Sequence, residues 1–250
     1  MLRFCLLPLV LFVCGSTAPL CADLIKVADF ENGELTALRM QVGSPDAITL
    51  VKDPAPVRAG KHAAKILLRA SDPQVSKGQR AEFSDNGTKI LMDEDYWYGL
   101  SLYLPESFTP PQKRDAVLYQ WHTQQGGPSP VLAIRVQGNE WVITCNPPGK
   151  KRTLKRIPMQ KNCWVDWVVH ARWASTPTGF LRIWKDGVEV VNERDIITQY
   201  PEALGPYAKF GQYHSVHETP ENLIYADEYR VGGSKSSYDE VAPPRSVEKK

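Results

Sequence analysis

A chain of 250 residues with 42% hydrophobic and 23% charged residues has the balance of a folded globular protein, which excludes a disordered one. Its formal net charge of +2 excludes a strongly basic nucleic-acid binder, although a local basic groove for a polyanion stays open. Function therefore has to be read from particular residues.

The chain begins Met1-Leu2-Arg3, continues with an apolar run from Phe4 to Val13, and then turns to small residues up to Ala22. A short charged start, an apolar stretch too short to span a bilayer and a small-residue end are the marks of a secretory signal peptide. The expectation is cleavage after Ala22 or Ala18 and a secreted or periplasmic protein. Neither Cys14 nor Cys21 lies in a lipoprotein context, and no later stretch is long and apolar enough to cross a membrane. Cys5 also belongs to the leader, which leaves Cys145 and Cys163. A disulfide between them and two free thiols are both open.

From Leu24 onward the chain reads as strands punctuated by turns, with 20 prolines and 17 glycines. The runs are Leu24 to Phe30, Ala63 to Leu68, Arg80 to Phe83, Trp97 to Leu104, Val117 to His122, Val131 to Val136 and Glu140 to Cys145. Trp164 to Trp173 alternates over a longer stretch, and Asp186-Gly187 separates Phe180 to Trp184 from Val188 to Val191 as a hairpin turn. Lys209 to Tyr213 and Leu223 to Val231 complete the set, and one short helix is expected near 192–200. Many short strands with no second helical layer predict an all-β jelly roll, a sandwich of two antiparallel sheets spanning 23–232. The polar tail, 233–250, is expected to fray.

Three stretches carry chemistry. In Val117-Leu118-Tyr119-Gln120-Trp121-His122, a period of two puts Val117, Tyr119 and Trp121 on an apolar face and Leu118, Gln120 and His122 on the other. In Gln79-Arg80-Ala81-Glu82-Phe83, Ala81 and Phe83 face the core while Arg80 and Glu82 face out. In Tyr207-Ala208-Lys209-Phe210-Gly211-Gln212-Tyr213, Lys209, Gly211 and Tyr213 share a face, with Gly211 leaving space between the cation and the phenol. Each alone fits an ordinary sheet histidine, a surface ion pair or a packing tyrosine. Arg135 alternates with Leu132, Ile134 and Val136, so it can share the face of His122 and touch the same ligand, or be a plain surface arginine.

Together these residues supply guanidinium, amide, imidazole, ammonium and phenol. That set suits β-elimination at a uronic acid, whose C5 proton is very weakly acidic while the neighbouring carboxylate is charged. Arg80 and Gln120 can bind and neutralise the carboxylate and so stabilise an enolate-like intermediate. His122 or Tyr213 can remove the C5 proton, and Tyr213 can protonate the departing O4. In a β-linked glucuronate or mannuronate the proton and O4 leave from the same side, so one tyrosine can serve both transfers. In iduronate or guluronate they lie on opposite sides and a separate base is needed.

Arg80-Ala81-Glu82, Gln120-Trp121-His122 and Lys209-Phe210-Gly211-Gln212-Tyr213, in this order, resemble jelly-roll polysaccharide lyases of the heparin lyase I and glucuronan lyase type. They are also similar to the alginate lyase pattern Arg-x-Glu-x-Arg, Gln-x-His and Tyr-Phe-Lys-x-Gly-x-Tyr-x-Gln. The resemblance, which runs from about Phe30 to Val231, implies a lyase acting on an anionic uronate polysaccharide, with His122 and Tyr213 as the catalytic pair. It further implies Arg80, Gln120 and Lys209 as substrate contacts. Two departures put alginate in doubt: Ser84 stands at the pattern's second arginine, and Ser215 at its final glutamine. The resemblance implies no required cofactor, while some jelly-roll members hold a structural calcium, for which Glu31 and Asp227 are the candidate ligands. A monomer with no nucleic-acid partner is expected.

The alternative reading is a non-catalytic carbohydrate-binding protein of the same fold. Trp97 and Tyr103 can stack on sugar rings or pack in the core. His214 and His217 have metal-like spacing without a third ligand, His62 and His170 have no evident partner, and the basic run from Lys150 to Arg156 reads as a solvated loop that can steer a polyanion. The mature chain has no Gly-x-Ser-x-Gly, His-Glu-x-x-His, P-loop or dinucleotide fingerprint.

Overall fold

The computed structural model describes residues 24–215 and 219–244. In chain order the strands are β1 (Leu24–Ala28), β2 (Arg39–Val42), β3 (Ile48–Val51), β4 (Ala63–Arg69) and β5 (Gln79–Ser84). They continue with β6 (Asp95–Tyr103), β7 (Ala116–His122), β8 (Leu132–Gln137), β9 (Glu140–Cys145) and β10 (Arg152–Pro158). The last are β11 (Trp164–Arg172), β12 (Gly179–Lys185), β13 (Val188–Ile196), β14 (Tyr207–His214) and β15 (Glu221–Gly232), followed by one helical turn, α1 (Tyr238–Val241). One sheet runs β13-β12-β11-β6-β15-β4-β3 with β1 also on β15, and the other runs β10-β9-β8-β7-β14-β5-β2. Every pairing is antiparallel, as a jelly roll requires.

The core lies between the sheets, where alternate residues of facing strands meet. Trp121, Trp141, Tyr119, Phe83 and Phe210 come from the smaller sheet and Trp167, Trp173, Tyr98 and Tyr229 from or beside the larger one, all buried. Their rings interlock: Phe83 meets Phe210 at 5.1 Å, Phe210 meets Tyr229 at 4.9 Å, and Tyr98 meets Trp121 edge-on at 5.3 Å. The buried Tyr98 hydroxyl accepts a hydrogen bond from Trp173 Nε1 at 2.9 Å.

Four expectations change. The apolar alternation of β7 breaks at Leu118, because β7 carries one extra residue against β8 between Val117 and Tyr119. Leu118 therefore turns into the core beside Tyr119 and Trp121, and Val117 lies outside that cluster. The stretch expected to be helical near 192–200 instead extends β13 to Ile196. The basic run is not a loop: Arg152 to Pro158 form β10, an edge strand of the smaller sheet. The polar tail is docked as far as Pro244, with Val241 buried, Arg230 donating to the Ala242 carbonyl at 3.0 Å and Arg58 to that of Pro244 at 3.1 Å. The leader expected at 1–22 lies outside the described residues. Cys145 is a buried free thiol and Cys163 an exposed one, so the disulfide does not form.

Phe210 sits beneath Lys209 and Gly211 and touches Phe83, Tyr119 and Tyr229. Phe210→Ala should lower unfolding free energy by about 3–5 kcal/mol, measured by urea denaturation.

Candidate active site

The outward face of the smaller sheet carries the polar residues. Cross-strand register lays them out as rows: Lys209 faces Gln120 on β7 and Ser84 on β5, Gly211 faces Glu82, Tyr213 faces Arg80, and Tyr207 faces His122. Arg80, Gln120, His122, Lys209 and Tyr213, separated by up to 133 positions of sequence, therefore share one surface because β5, β14 and β7 are neighbours.

Glu82 joins them. Its carboxylate accepts a hydrogen bond from Lys209 Nζ at 2.6 Å and one from Gln120 Nε2 at 2.5 Å, and lies 3.4 Å from Arg80 Nη1. Because a carboxylate only accepts, the amide of Gln120 must turn its nitrogen toward Glu82. Glu82 and Lys209 are each 1% exposed, so this ion pair is almost wholly desolvated. Burial holds the Lys209 pKa below the usual lysine range against the opposing pull of Glu82. Two cations against one carboxylate leave the cluster with one net positive charge, the sign that suits a carboxylate ligand.

His122 lies at one end of the cluster, its ring 5.2 Å from that of Tyr207. Nδ1 donates to the Thr123 carbonyl at 2.9 Å. A carbonyl cannot donate, so the neutral ring carries its proton on Nδ1 and leaves the Nε2 lone pair free to act as a base. Burial, with Lys209 and Arg80 adding to it, lowers the His122 pKa from the ordinary 6.5, against the Thr123 carbonyl and Glu82.

Tyr213 lies at the other end, opposite Val117. Its ring is held from two sides. The Arg80 guanidinium carbon stands 4.5 Å from the ring centroid, a cation–π contact. Against Gly78, an added Cβ would fall 2.3 Å from Tyr213 Cε2. Gly78 closes the short hairpin with Val75, and Arg80 Nη2 donates to the Ser76 carbonyl of the same turn at 3.3 Å. Gly211 does more than leave room: at φ +133° its added Cβ would lie 2.3 Å from the Ala81 carbonyl oxygen, so the close approach of β5 demands glycine.

Arg135 is on the same outward face, opposite Val117, where its guanidinium donates to Thr144 Oγ1 at 3.0 Å and to Asp115 at 3.1 Å. Two residues of the face escape a reading of the sequence by itself: Glu82, which beside Arg80 looks like half of a surface pair, and Tyr207, whose signal is its place two residues before Lys209. Trp97 and Tyr103 belong to β6 in the other sheet, so they do not join this face. Trp97 stacks on His170 at 3.8 Å and on Trp184 at 5.9 Å, and burial lowers the His170 pKa to about 4.

Both carboxylates proposed for calcium accept backbone hydrogen bonds. Glu31 accepts the backbone N–H groups of Lys61 and His62, while Asp227 accepts those of Arg58, Ala59 and Glu228. Among the described residues no group of three His, Cys, Asp or Glu side chains is placed to hold a metal. His217 lies outside the described residues. No helix among them is long and apolar enough to cross a membrane.

A sandwich of antiparallel sheets with a cationic, amide- and imidazole-bearing face defines the jelly-roll polysaccharide lyase class. The sequence model described as "Polysaccharide lyase" matches residues 30–230, and the chain belongs to that family. Membership replaces the alternative of a non-catalytic binding protein. An endo-β-1,4-glucuronan lyase from the fungus Trichoderma reesei shares the fold with a TM-score of 0.68 at 19% identity, over 84% of this chain and 95% of that one. Alginate lyase AlgAT5 of polysaccharide lyase family 7 aligns with a TM-score of 0.52 at 14% identity, over 69% and 78% of the two chains. Alginate lyase AlyC3 gives 0.52 at 12% identity, over 69% and 75%. A comparison with curated protein sequences returned no match.

Two outcomes follow from the geometry. Glu82→Ala strands Lys209 as a buried charge without its partner and should cost about 3–5 kcal/mol of stability, read from urea denaturation. Gly78→Ala should push the Tyr213 ring aside and lower kcat on the order of 100-fold, the scale of an ångström's misplacement at a reacting centre. Circular dichroism and melting temperature close to wild type would confine that loss to the site.

Proposed function

We propose that the protein is an exported polysaccharide lyase that cleaves a uronic-acid-containing polysaccharide by β-elimination. The observation that carries this reading is the buried Glu82–Lys209–Gln120–Arg80 cluster, cationic overall, with a neutral imidazole at one end and a phenol at the other. Export rests on the leader-like residues 1–22. A monomer that needs no cofactor is part of the proposal.

In this mechanism the uronate carboxylate lies over Lys209 and Gln120, where Arg80 and the Gln120 amide offset its charge as the C5–H bond breaks. The electron pair left at C5 forms the C4–C5 double bond while the C4–O4 bond breaks, and a proton reaches O4. His122 Nε2 and Tyr213 Oη are the groups that move protons. Their register positions are five residues apart on β7, roughly 15 Å of strand. A sugar over Lys209 thus has a base on one side and a phenol on the other. Syn elimination needs only Tyr213 for both transfers; anti elimination assigns the base to His122 and the acid to Tyr213.

Glucuronan is the first substrate to try, because the neighbour with the TM-score of 0.68 is a glucuronan lyase; alginate and a heparin-like polymer follow. The assay is the ultraviolet absorbance of the unsaturated uronate. Product on one of these polymers is expected, and its absence on all of them, with polymer binding intact, would remove the substrate assignment. Tyr213→Phe should lose turnover by at least about 100-fold while still binding polymer. Because the folded-state His122 pKa is depressed, the imidazole stays neutral until the pH falls below 6.5. On a substrate that uses this base, the acid limb of kcat/KM should lie below pH 6.5 and vanish in His122→Ala. The same depression favours the folded state above pH 6.5, and that contribution is lost as the pH falls through the lowered pKa.

A further inference from the structure

Beyond the reacting sugar, the same face continues onto β2. Among the described residues this edge strand pairs only with β5, in the register Arg39 to Ser84, Met40 to Phe83, Gln41 to Glu82 and Val42 to Ala81. Phe83 and Ala81 point into the core, so Met40 and Val42 share their side and Arg39 and Gln41 share the side of Ser84 and Glu82. Arg39 thus stands in one row with Ser84, Lys209 and Gln120, one strand from Ser84 and two from Lys209, the latter about 9.5 Å.

The two cations of this row are in opposite states. Lys209 is buried and held by Glu82. Arg39 is exposed, and among the described residues its guanidinium makes no hydrogen bond or ion pair. Between them is a serine, too short to block a ligand, whose buried Oγ has no hydrogen-bond partner. A row with a held cation at the centre, a small unpaired hydroxyl next to it and an open cation at the rim has the layout of a groove for a repeating anion.

Resting on the reading of the site as a uronate lyase, we propose that Arg39, with Ser84 beside it, binds the carboxylate of a second uronate in the same polymer chain. It is a substrate-binding residue for a sugar next to the reacting one. The polymer then crosses the strands toward the open edge of β2, and Arg39 contributes to affinity without touching the bond that breaks. Guanidinium is suited to this, since its fork of donors matches a carboxylate and remains charged at any working pH.

The test compares Arg39→Ala and Arg39→Glu with Lys235→Ala, which removes an exposed positive charge from the β15–α1 connection. Steady-state kinetics on glucuronan, or on whichever uronate polymer the wild type cleaves, are paired with affinity electrophoresis in gels containing the same polymer. Arg39→Ala should raise KM about two- to fivefold, the range of an exposed ion pair, with kcat within about twofold of wild type. Arg39→Glu should raise it on the order of tenfold, with both deficits shrinking as salt is added. Lys235→Ala should do neither. KM and gel retardation in both Arg39 variants equal to those of Lys235→Ala would overturn the proposal, as would a loss of kcat at unchanged KM. If no polymer yields product while Arg39→Glu still weakens retardation of the wild-type kind, the lyase substrate reading fails and the Arg39 contact stands. If no uronate polymer is cleaved or retarded, both fall.

Discussion

The Glu82 carboxylate is the constraint on which the site depends. Alone in the sheet face it would be a buried anion, and Lys209 and Arg80 would be cations without a counter-charge; either state is expensive in a desolvated position. Together with Gln120 they form a closed set, with contacts of 2.5 and 2.6 Å on the carboxylate and Arg80 at 3.4 Å. The set fixes side chains from three strands with respect to one another before any ligand arrives. That preorganisation suits the proposed elimination, in which charges already in place would stabilise an enolate without reorienting.

Glu82 also divides the labour between the two ends of the face. Arg80 is tied to Glu82 through one nitrogen, to the 75–78 turn through another, and places its guanidinium carbon over the Tyr213 ring. The same guanidinium therefore holds the phenol and supplies the cluster's net positive charge. His122 is oriented separately, by the Thr123 carbonyl, and stays neutral because it is buried near two cations. One end of the site is positioned by charge and the other by a backbone hydrogen bond, so the two are placed independently even though the cluster's charges act on the imidazole.

Most strands were legible because their alternation is strong: Trp164 to Arg172 and Glu140 to Cys145 announce themselves by period two. Strands β2 and β3 escaped because each is four residues long, and β10 because an edge strand with one neighbour can be as basic as a loop. The helix expected near 192–200 failed for the same reason, since the outer residues of β13 face water and lose the apolar rhythm. The break at Leu118 could not be read locally, as a bulge is set by the register of β8 and β14 on either side. At the site, residue types and their order pointed to Arg80, Gln120, His122, Lys209 and Tyr213. The partner that binds three of them together, Glu82, looked ordinary because burial is a property of the assembled sheets.

The docked end of the chain has a consequence for the larger sheet. Arg58 grips the Asp166 carboxylate with two nitrogens and Arg230 the Glu228 carboxylate with one, and each donates a further nitrogen to a carbonyl of residues 242–244. Each arginine is thus a bridge between the sheet's outer surface and the last described segment. A shortened chain ending at the last strand would contain every residue of the proposed catalytic face, yet it would lose both carbonyl anchors and uncover Val241's seat on the opposite side. The unit that must be kept intact for stability is therefore longer than the unit that carries the proposed chemistry.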